Sequence, residues 1–289
     1  MAKNIMKKTL CLALAVSSAC VSLATMTACE TSHPKVEMVL EFNNQTYALE
    51  YNLNRKLTPA TARHFLELVD AKFYDGLCVH DYQTSNNQAS NWYTGVYEYK
   101  ETNGSLVYRS YFDAVKKLEE KGAFKSTVWS DEAKTSTTYT LYGEFKSNNF
   151  KVENGEVVNG FGALTMRYTD KGDFNDWLVR CARADGNGES WKDYGYNSAT
   201  SMFSINVSTT KTSLSDYCTF AELDEDSVEV LQSLKAAISD FIGEGDSDDF
   251  TVRTEALINE EDNYANESET FFDTPVKPIT IKSMKVTKW

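Results

Sequence analysis

Apolar β-formers dominate from Val36 to Phe42 and again from Thr46 to Leu53, and Asn43-Asn44-Gln45 between them is turn chemistry. The pattern predicts a β-hairpin. The period then lengthens: after Thr58-Pro59, Ala62, Phe65, Leu66, Val69 and Phe73 recur at three- and four-residue steps. Thr58 as N-cap and Pro59 at the first helical position open an amphipathic helix that ends before Tyr74-Asp75-Gly76. Asn86 to Asn91 is polar and turn-rich. A stretch of mixed tyrosine, lysine and serine follows, with a helical patch over Tyr111 to Glu120.

Strand patterns return at Thr140–Phe145, Gly162–Met166, Met202–Val207 and Cys218–Leu223. Between them, residues 168–197 are polar and hold Gly172, Gly186, Gly188 and Gly195, the composition of a surface insertion. From Asp226 to Phe241 the spacing of Val228, Val230, Leu231, Leu234 and Ile238 predicts a helix, with acids at its N-terminus suiting the dipole. Residues 243–270 are acidic and poor in apolar side chains, so they read as a loop or partly disordered segment. Val276 to Val286 is a closing strand. Hairpin, helix, several strands, helix and strand in that order fit a mainly β fold, a closed antiparallel barrel with a helix over each open end, better than a βαβ sheet.

The first residues change where this domain is expected to work. Lys3, Lys7 and Lys8 precede a run without charge from Thr9 to Ala28, the layout of a cleaved signal peptide over 1–28. Met26-Thr27-Ala28-Cys29 resembles the lipobox of bacterial lipoproteins, which implies a lipid on Cys29, a short tether over 29–34 and a domain over 35–289 held at a membrane outside the cytoplasm, on the cell surface or the periplasmic side. Cys20 is a second candidate for that lipid, and ordinary cleavage that leaves Cys29 free is the plain alternative. With Cys11, Cys20 and Cys29 set aside, Cys78, Cys181 and Cys218 remain, an odd number without disulfide spacing. No CxxC pair occurs and His33, His64 and His80 lack the spacing of a zinc site, so neither metal nor cofactor is expected. Losing residues 1–28 removes three lysines and no acid, which takes the net charge from −13 to −16 and disfavours nucleic acid as a partner. The 15 Phe and 16 Tyr suit a β-rich core with hydroxyls at its edge.

Several local words, in order, resemble the cyclophilin family of peptidyl-prolyl cis-trans isomerases. Thr58-Pro59-Ala-Thr-Ala-Arg-His-Phe-Leu-Glu-Leu is similar to the family helix "P-x-T-V-x-N-F-x-x-L", and Phe73-Tyr-Asp-Gly-Leu-Cys-Val-His80 to "F-Y-D-G-x-x-F-H-R". Gly162-Ala-Leu-Thr-Met166 resembles "G-x-L-S-M-A". Asn197 to Asn206 resembles "N-S-A-S-S-Q-F-F-I", Leu214 to Phe220 resembles "L-D-G-x-Y-x-V-F-G", and Pro278 to Val286 is similar to the closing strand. The collinear match spans residues 35–288, with insertions near 92–138, 168–196 and 243–274. It implies a closed barrel capped by two helices, monomeric, acting on X-Pro bonds of peptide or protein substrates. It also implies a substrate wall of His80, Gln88, Met166, Met202, Leu214 and Tyr217.

The departures from the family gather at that wall. The family's arginine follows its histidine, and here Asp81 follows His80. An ionised carboxylate has no proton to donate to a prolyl nitrogen. The pocket glutamine becomes Met202, the second phenylalanine Ser204, and the aromatic ahead of Leu214 becomes Ser213, while Gln88 stands one residue closer to His80 than the family's glutamine. Met202, Leu214 and Tyr217 read either as a relaxed peptide groove or as core, and His80 as a structural histidine. Asp81 reads as a loop aspartate, a turn cap or a cation ligand. Arg167 reads as a surface ion pair or as the positive charge missing at 81, and Trp177 and Trp191 as a partner surface or as packing for their insertion. Three functions are consistent with the chain: a weak exported isomerase, a non-enzymatic peptide- or protein-binding module on the same scaffold, and an unrelated β-rich surface lipoprotein.

Overall fold

Asn43 and Asn44 both adopt positive φ, 48° and 62°, the geometry that lets a two-residue turn follow strand twist, and they join β1 (Lys35–Phe42) to β2 (Gln45–Leu53). The structure, a computed structural model, describes residues 33–86, 88–124, 128–129, 135, 139–145, 158–167, 177–182, 189–194, 200–211, 217–244, 250–255 and 271–289. Alternate residues of the hairpin, Val36, Met38, Leu40 and Phe42 against Leu49, Tyr51 and Leu53, are buried in the main core.

Helix α1 (Pro59–Asp70) opens on Pro59 as the sequence predicts, but Thr58 makes no capping bond with its side chain. Its hydroxyl donates instead to the Asn54 carbonyl, 2.8 Å away. The cap comes from far along the chain: the Ala60 and Thr61 amides donate to Glu144 Oε1 and Oε2 at 3.1 and 2.9 Å. This explains why Thr140–Phe145, predicted as a strand, runs irregularly apart from one bridge residue, Leu141. Glu144 is drawn to the helix terminus while Leu141 and Phe145 enter the core.

Strands β3 (Asp81–Ser85) and β4 (Gln88–Thr94) form a hairpin in the polar stretch, and β5 (Tyr97–Lys100) pairs with β6 (Ser105–Tyr108). Helix α2 (Tyr111–Glu120) matches the predicted helical patch, with the Ser110 hydroxyl accepting from the Asp113 amide as its cap. Then follow β7 (Val128–Trp129), β8 (Leu164–Met166), β9 (Trp177–Ala182) and β10 (Glu189–Tyr194). The two insertions read from the sequence near 92–138 and 168–196 share one sheet, because β7 from the first pairs with β9 from the second. Backbone pairing, which polarity does not report, joins them.

Strands β11 (Phe203–Asn206) and β12 (Thr219–Leu223) lead through a 3-10 turn at Glu225–Ser227 into helix α3 (Val228–Glu244). The acidic stretch expected to be a loop contains β13 (Thr251–Glu255), which pairs with β14 (Phe271–Pro275), and β15 (Thr280–Lys288) closes the chain.

Eight strands form the central sheet in the order β15-β1-β2-β12-β8-β11-β4-β3. It curls as a half-barrel and is open rather than closed, which corrects the closed barrel expected above. The edges β15 and β3 form no ladder. The segment ahead of β3 lies between them and divides its bonds: Gly76, Leu77 and Val79 bond to β15 or the residue before it, whereas Cys78 N donates to Tyr97 O and His80 N to Tyr93 O. Helices α1, α2 and α3 all pack on the main core. Phe65 of α1 meets Phe203 and Phe220 at 5.4 and 4.9 Å, and Phe241 of α3 meets Phe42 at 5.7 Å.

Candidate functional site

Successive rows across the sheet alternate between the core and the opposite face. Tyr82, Trp92, Ile205, Leu164 and Ala221 form one row through β3, β4, β11, β8 and β12, and all five lie in the main core. The neighbouring row is Asp81, Tyr93, Ser204, Thr165 and Thr219, so it faces the other way. A further polar row, Gln83, Asn91 and Asn206, flanks it. Although these side chains leave the core, Thr165, Ser204 and Thr219 are only 5% to 7% exposed. Buried polar groups need partners, and they have them. The hydroxyls of Thr165 and Thr219 lie 2.9 Å apart, Asn206 Nδ2 donates to the Asn159 carbonyl at 2.9 Å, and Ser204 Oγ reaches the Thr165 carbonyl at 3.5 Å.

Over these rows lies a cavity of about 260 Å³ lined by Asn91, Tyr93, Thr165, Arg167, Ser204 and Tyr217, with Asn159 at its side and Met166 beneath. Arg167 follows directly from β8, where its amide donates to the Met202 carbonyl at 3.0 Å, and its guanidinium stands over the Tyr93 ring, 5.6 Å from the centroid. That stacking holds a planar multiple donor in the cavity wall. Among the described residues Ser204 has no histidine or carboxylate as hydrogen-bond partner to activate it, and its hydroxyl bonds to the Thr165 carbonyl. The arrangement suits reversible binding and charge stabilisation rather than nucleophilic attack.

The sequence-predicted residues divide between this cavity and a second, smaller core. Tyr217 lines the cavity, and Met166 meets it from the inner row, where it pairs with Phe203 and is buried. Met202 belongs to the second core with Cys78, Val96, Tyr97, Leu106 and Phe272. The His80 ring enters the same cluster, with ring centroids 4.9 Å from Tyr97 and 4.8 Å from Phe272. Burial pushes the His80 pKa down to about 3, weakly opposed by the Cys78 backbone, and the charge of Arg167 lowers it further. Asp81 ends the polar row, 7% exposed, and its carboxylate accepts from Gln83 Nε2 at 3.0 Å and from the Asp273 amide of β14 at 3.4 Å. Gln88 lies at the exposed end of β4 opposite Ser85 and does not line the cavity. Leu214, Ser213 and Cys29 lie outside the described residues.

Tyr93, Asn91, Thr165 and Asn159 were not singled out from the sequence. The available signal was the two-residue alternation of β4, in which Trp92 turns inward and its neighbours Asn91 and Tyr93 turn out. No protein-family model and no curated protein matches the chain. Among solved structures, one similar to it is a cyclophilin type peptidyl-prolyl cis-trans isomerase of Cryptosporidium parvum, 14% identical, covering 89% of this chain and 99% of that one with a TM-score of 0.43. Another is the isomerase of that organism in the presence of the dipeptide Ala-Pro, 12% identical, covering 88% and 99% with a TM-score of 0.42. An overlap of that extent fixes no activity for this chain.

Proposed function

We propose that the protein is an exported, lipid-tethered peptidyl-prolyl cis-trans isomerase of the cyclophilin kind, with Arg167 taking the part that position 81 has given up. The observation that carries this reading is the Arg167 guanidinium stacked on Tyr93 inside a cavity on β4, β8 and β11, of which β8 and β11 bear family-like words. Rotation about an X-Pro bond breaks no covalent bond. Its barrier is about 18 to 20 kcal/mol because amide resonance must be lost. A cation that donates to the prolyl nitrogen favours the twisted amide over the planar one, which is all the chemistry required. The row of Tyr93, Ser204 and Thr165 supplies hydroxyls for the flanking peptide groups. Arg167 is the catalytic residue of this reading, and the protein works as a monomer on proline-containing segments outside the cytoplasm. Lipid on Cys29 holds it at the membrane.

Isomerisation of a proline peptide by the purified protein tests this. Turnover above uncatalysed exchange is expected, with about a hundredfold fall in Arg167→Met, the smaller end of what losing a preorganised donor costs. A second reading, a peptide-binding module without turnover, is favoured by Asp81 and Ser204 standing where the family has arginine and phenylalanine. Binding with exchange at the uncatalysed rate would leave that reading alone. Intact mass measurement of protein recovered from bacterial membranes tests the anchor: a chain beginning at Cys29 with added diacylglycerol is expected, and an unmodified Cys29 would remove the tether.

A further inference from the structure

The second core is apolar in outline yet leaves three polar atoms stranded. Both ring nitrogens of His80 and the hydroxyl of Tyr97 are buried without a hydrogen-bond partner of good geometry among the described residues. Such atoms cost free energy comparable to a lost hydrogen bond, so a fold that keeps them calls for a reason. What lies against them is Phe272 of β14, edge-on to His80 at 4.8 Å and tilted against Tyr97 at 5.6 Å, with only 5% of its surface exposed. Phenylalanine can satisfy neither group.

The place of this core makes the mismatch informative. Met202, one residue before β11, shares the core with Phe272, and its carbonyl takes the amide of Arg167. The charge of Arg167 is felt at His80, and Asp81 ends the row on which the cavity stands. The apolar core and the polar cavity therefore adjoin across Met202 and Arg167. The cavity is lined by a cation, phenols, hydroxyls and amides, with Met166 as the aliphatic side chain among its described residues.

We infer that the space filled by Phe272 is the apolar half of the peptide site, occupied in cis by the β13–β14 hairpin, and that a peptide bringing an apolar ring and a backbone carbonyl displaces it. This rests on the proposed peptide-binding function and adds its regulation. The ring replaces Phe272, and the carbonyl accepts from the Tyr97 hydroxyl or from the N–H of His80. The hairpin is held where it would have to release by few bonds. Thr274 Oγ1 donates to the His80 carbonyl at 2.8 Å, and the Asp273 amide donates to Asp81 at a long 3.4 Å. The other strand of the hairpin, β13, is exposed or half-exposed along its length. Two strands with one buried ring are a marginal unit, as an element that opens must be.

The test uses the full chain and a proline peptide with a phenylalanine beside the proline. Cys78, 0% exposed in the same core, is the reporter, because burial pushes its thiol up to about 12 and so protects it from alkylation. Peptide is expected to raise the alkylation rate at Cys78, read by mass spectrometry. Phe272→Ala is expected to tighten peptide binding about tenfold, the factor gained when a competent state held near one part in ten becomes the main one. Thr274→Val, which keeps the volume and removes the bond to His80, is expected to shift affinity the same way by less, and circular dichroism checks that both variants fold. Binding that leaves Cys78 protected and is unchanged in both variants would overturn this inference while the peptide-binding reading stands. Binding by Phe272→Ala where the wild type binds nothing supports it. Failure of wild type and both variants to bind would overturn the inference and the proposed function together.

Discussion

Gly95 shows how one residue sets the end of the site. It follows β4 at φ +100°, and a Cβ there would lie 2.4 Å from the Ser201 carbonyl oxygen and 3.2 Å from the Phe203 ring. The Ser201 hydroxyl returns a bond to the Gly95 carbonyl at 2.7 Å, which locks the start of β11 to the end of β4. Gly122, after α2, has a similar φ of +70° but nothing within 4 Å. The pair separates two costs. Gly122→Ala meets only the left-handed penalty, about 1 to 2 kcal/mol. Gly95→Ala meets that penalty and a backbone clash, so its loss should be at least about twice as large and its thermal midpoint lower by roughly 5 °C or more. Equal losses in thermal unfolding would mean that close approach of Ser201 plays no part.

Elements whose pattern is local were legible from the chain, and those made by distant partners were not. The 36–53 hairpin announced itself through two runs of β-formers and a two-asparagine turn, α1 and α3 through their apolar stripes, and α2 as a helical patch. Residues 140–145 carried an equally good strand pattern, but Glu144 is held by the amides of α1 more than eighty positions away. Strands β10 and β13 were missed for the reverse reason, that they are polar and are marked by pairing, and β9, apolar from Trp177 to Val179, was hidden by the polar, glycine-rich stretch around it. The same division runs through the site. Met166, Met202 and His80 were readable as words, whereas the cavity beside them is a matter of register, because Tyr93, Ser204 and Thr165 meet only when three strands align. Gln88 was sought by its distance from His80 along the chain. The hairpin turn places it at the far end of β4, and Asn91 and Tyr93 take the wall instead.

At the scale of the whole molecule, the buried groups among the described residues with shifted pKa values between about 3 and 7 are His64, His80 and Glu144, and they do not agree in sign. His64, joined to Tyr111 at 3.1 Å, and His80 are both held neutral by burial, with pKa lowered to about 4 and about 3 from an ordinary 6.5. Each lends stability above pH 6.5 that is lost as pH falls towards its folded value, because only the unfolded chain takes up the proton in between. Glu144 runs the other way. Burial raises it from 4.5 to about 7 against the opposing pull of the Thr61 and Ala60 amides, so its contribution is complete below pH 4.5 and disappears as pH rises through 7. Its ceiling is on the order of 3 kcal/mol, and the two histidines together exceed it, so the protein should lose stability on acidification from pH 7 to 4.5. Glu144→Gln keeps an oxygen for one helix amide but removes the group that offsets the histidines. Denaturation in urea at pH 8, 7, 6 and 5 should therefore show a steeper acid decline in the variant than in the wild type, and the smallest deficit of the variant at pH 8, where the wild type buries a charge. Parallel curves would mean that Glu144 keeps an ordinary carboxylate pKa, and that the segment over α1 is held by Leu141 and Phe145 alone.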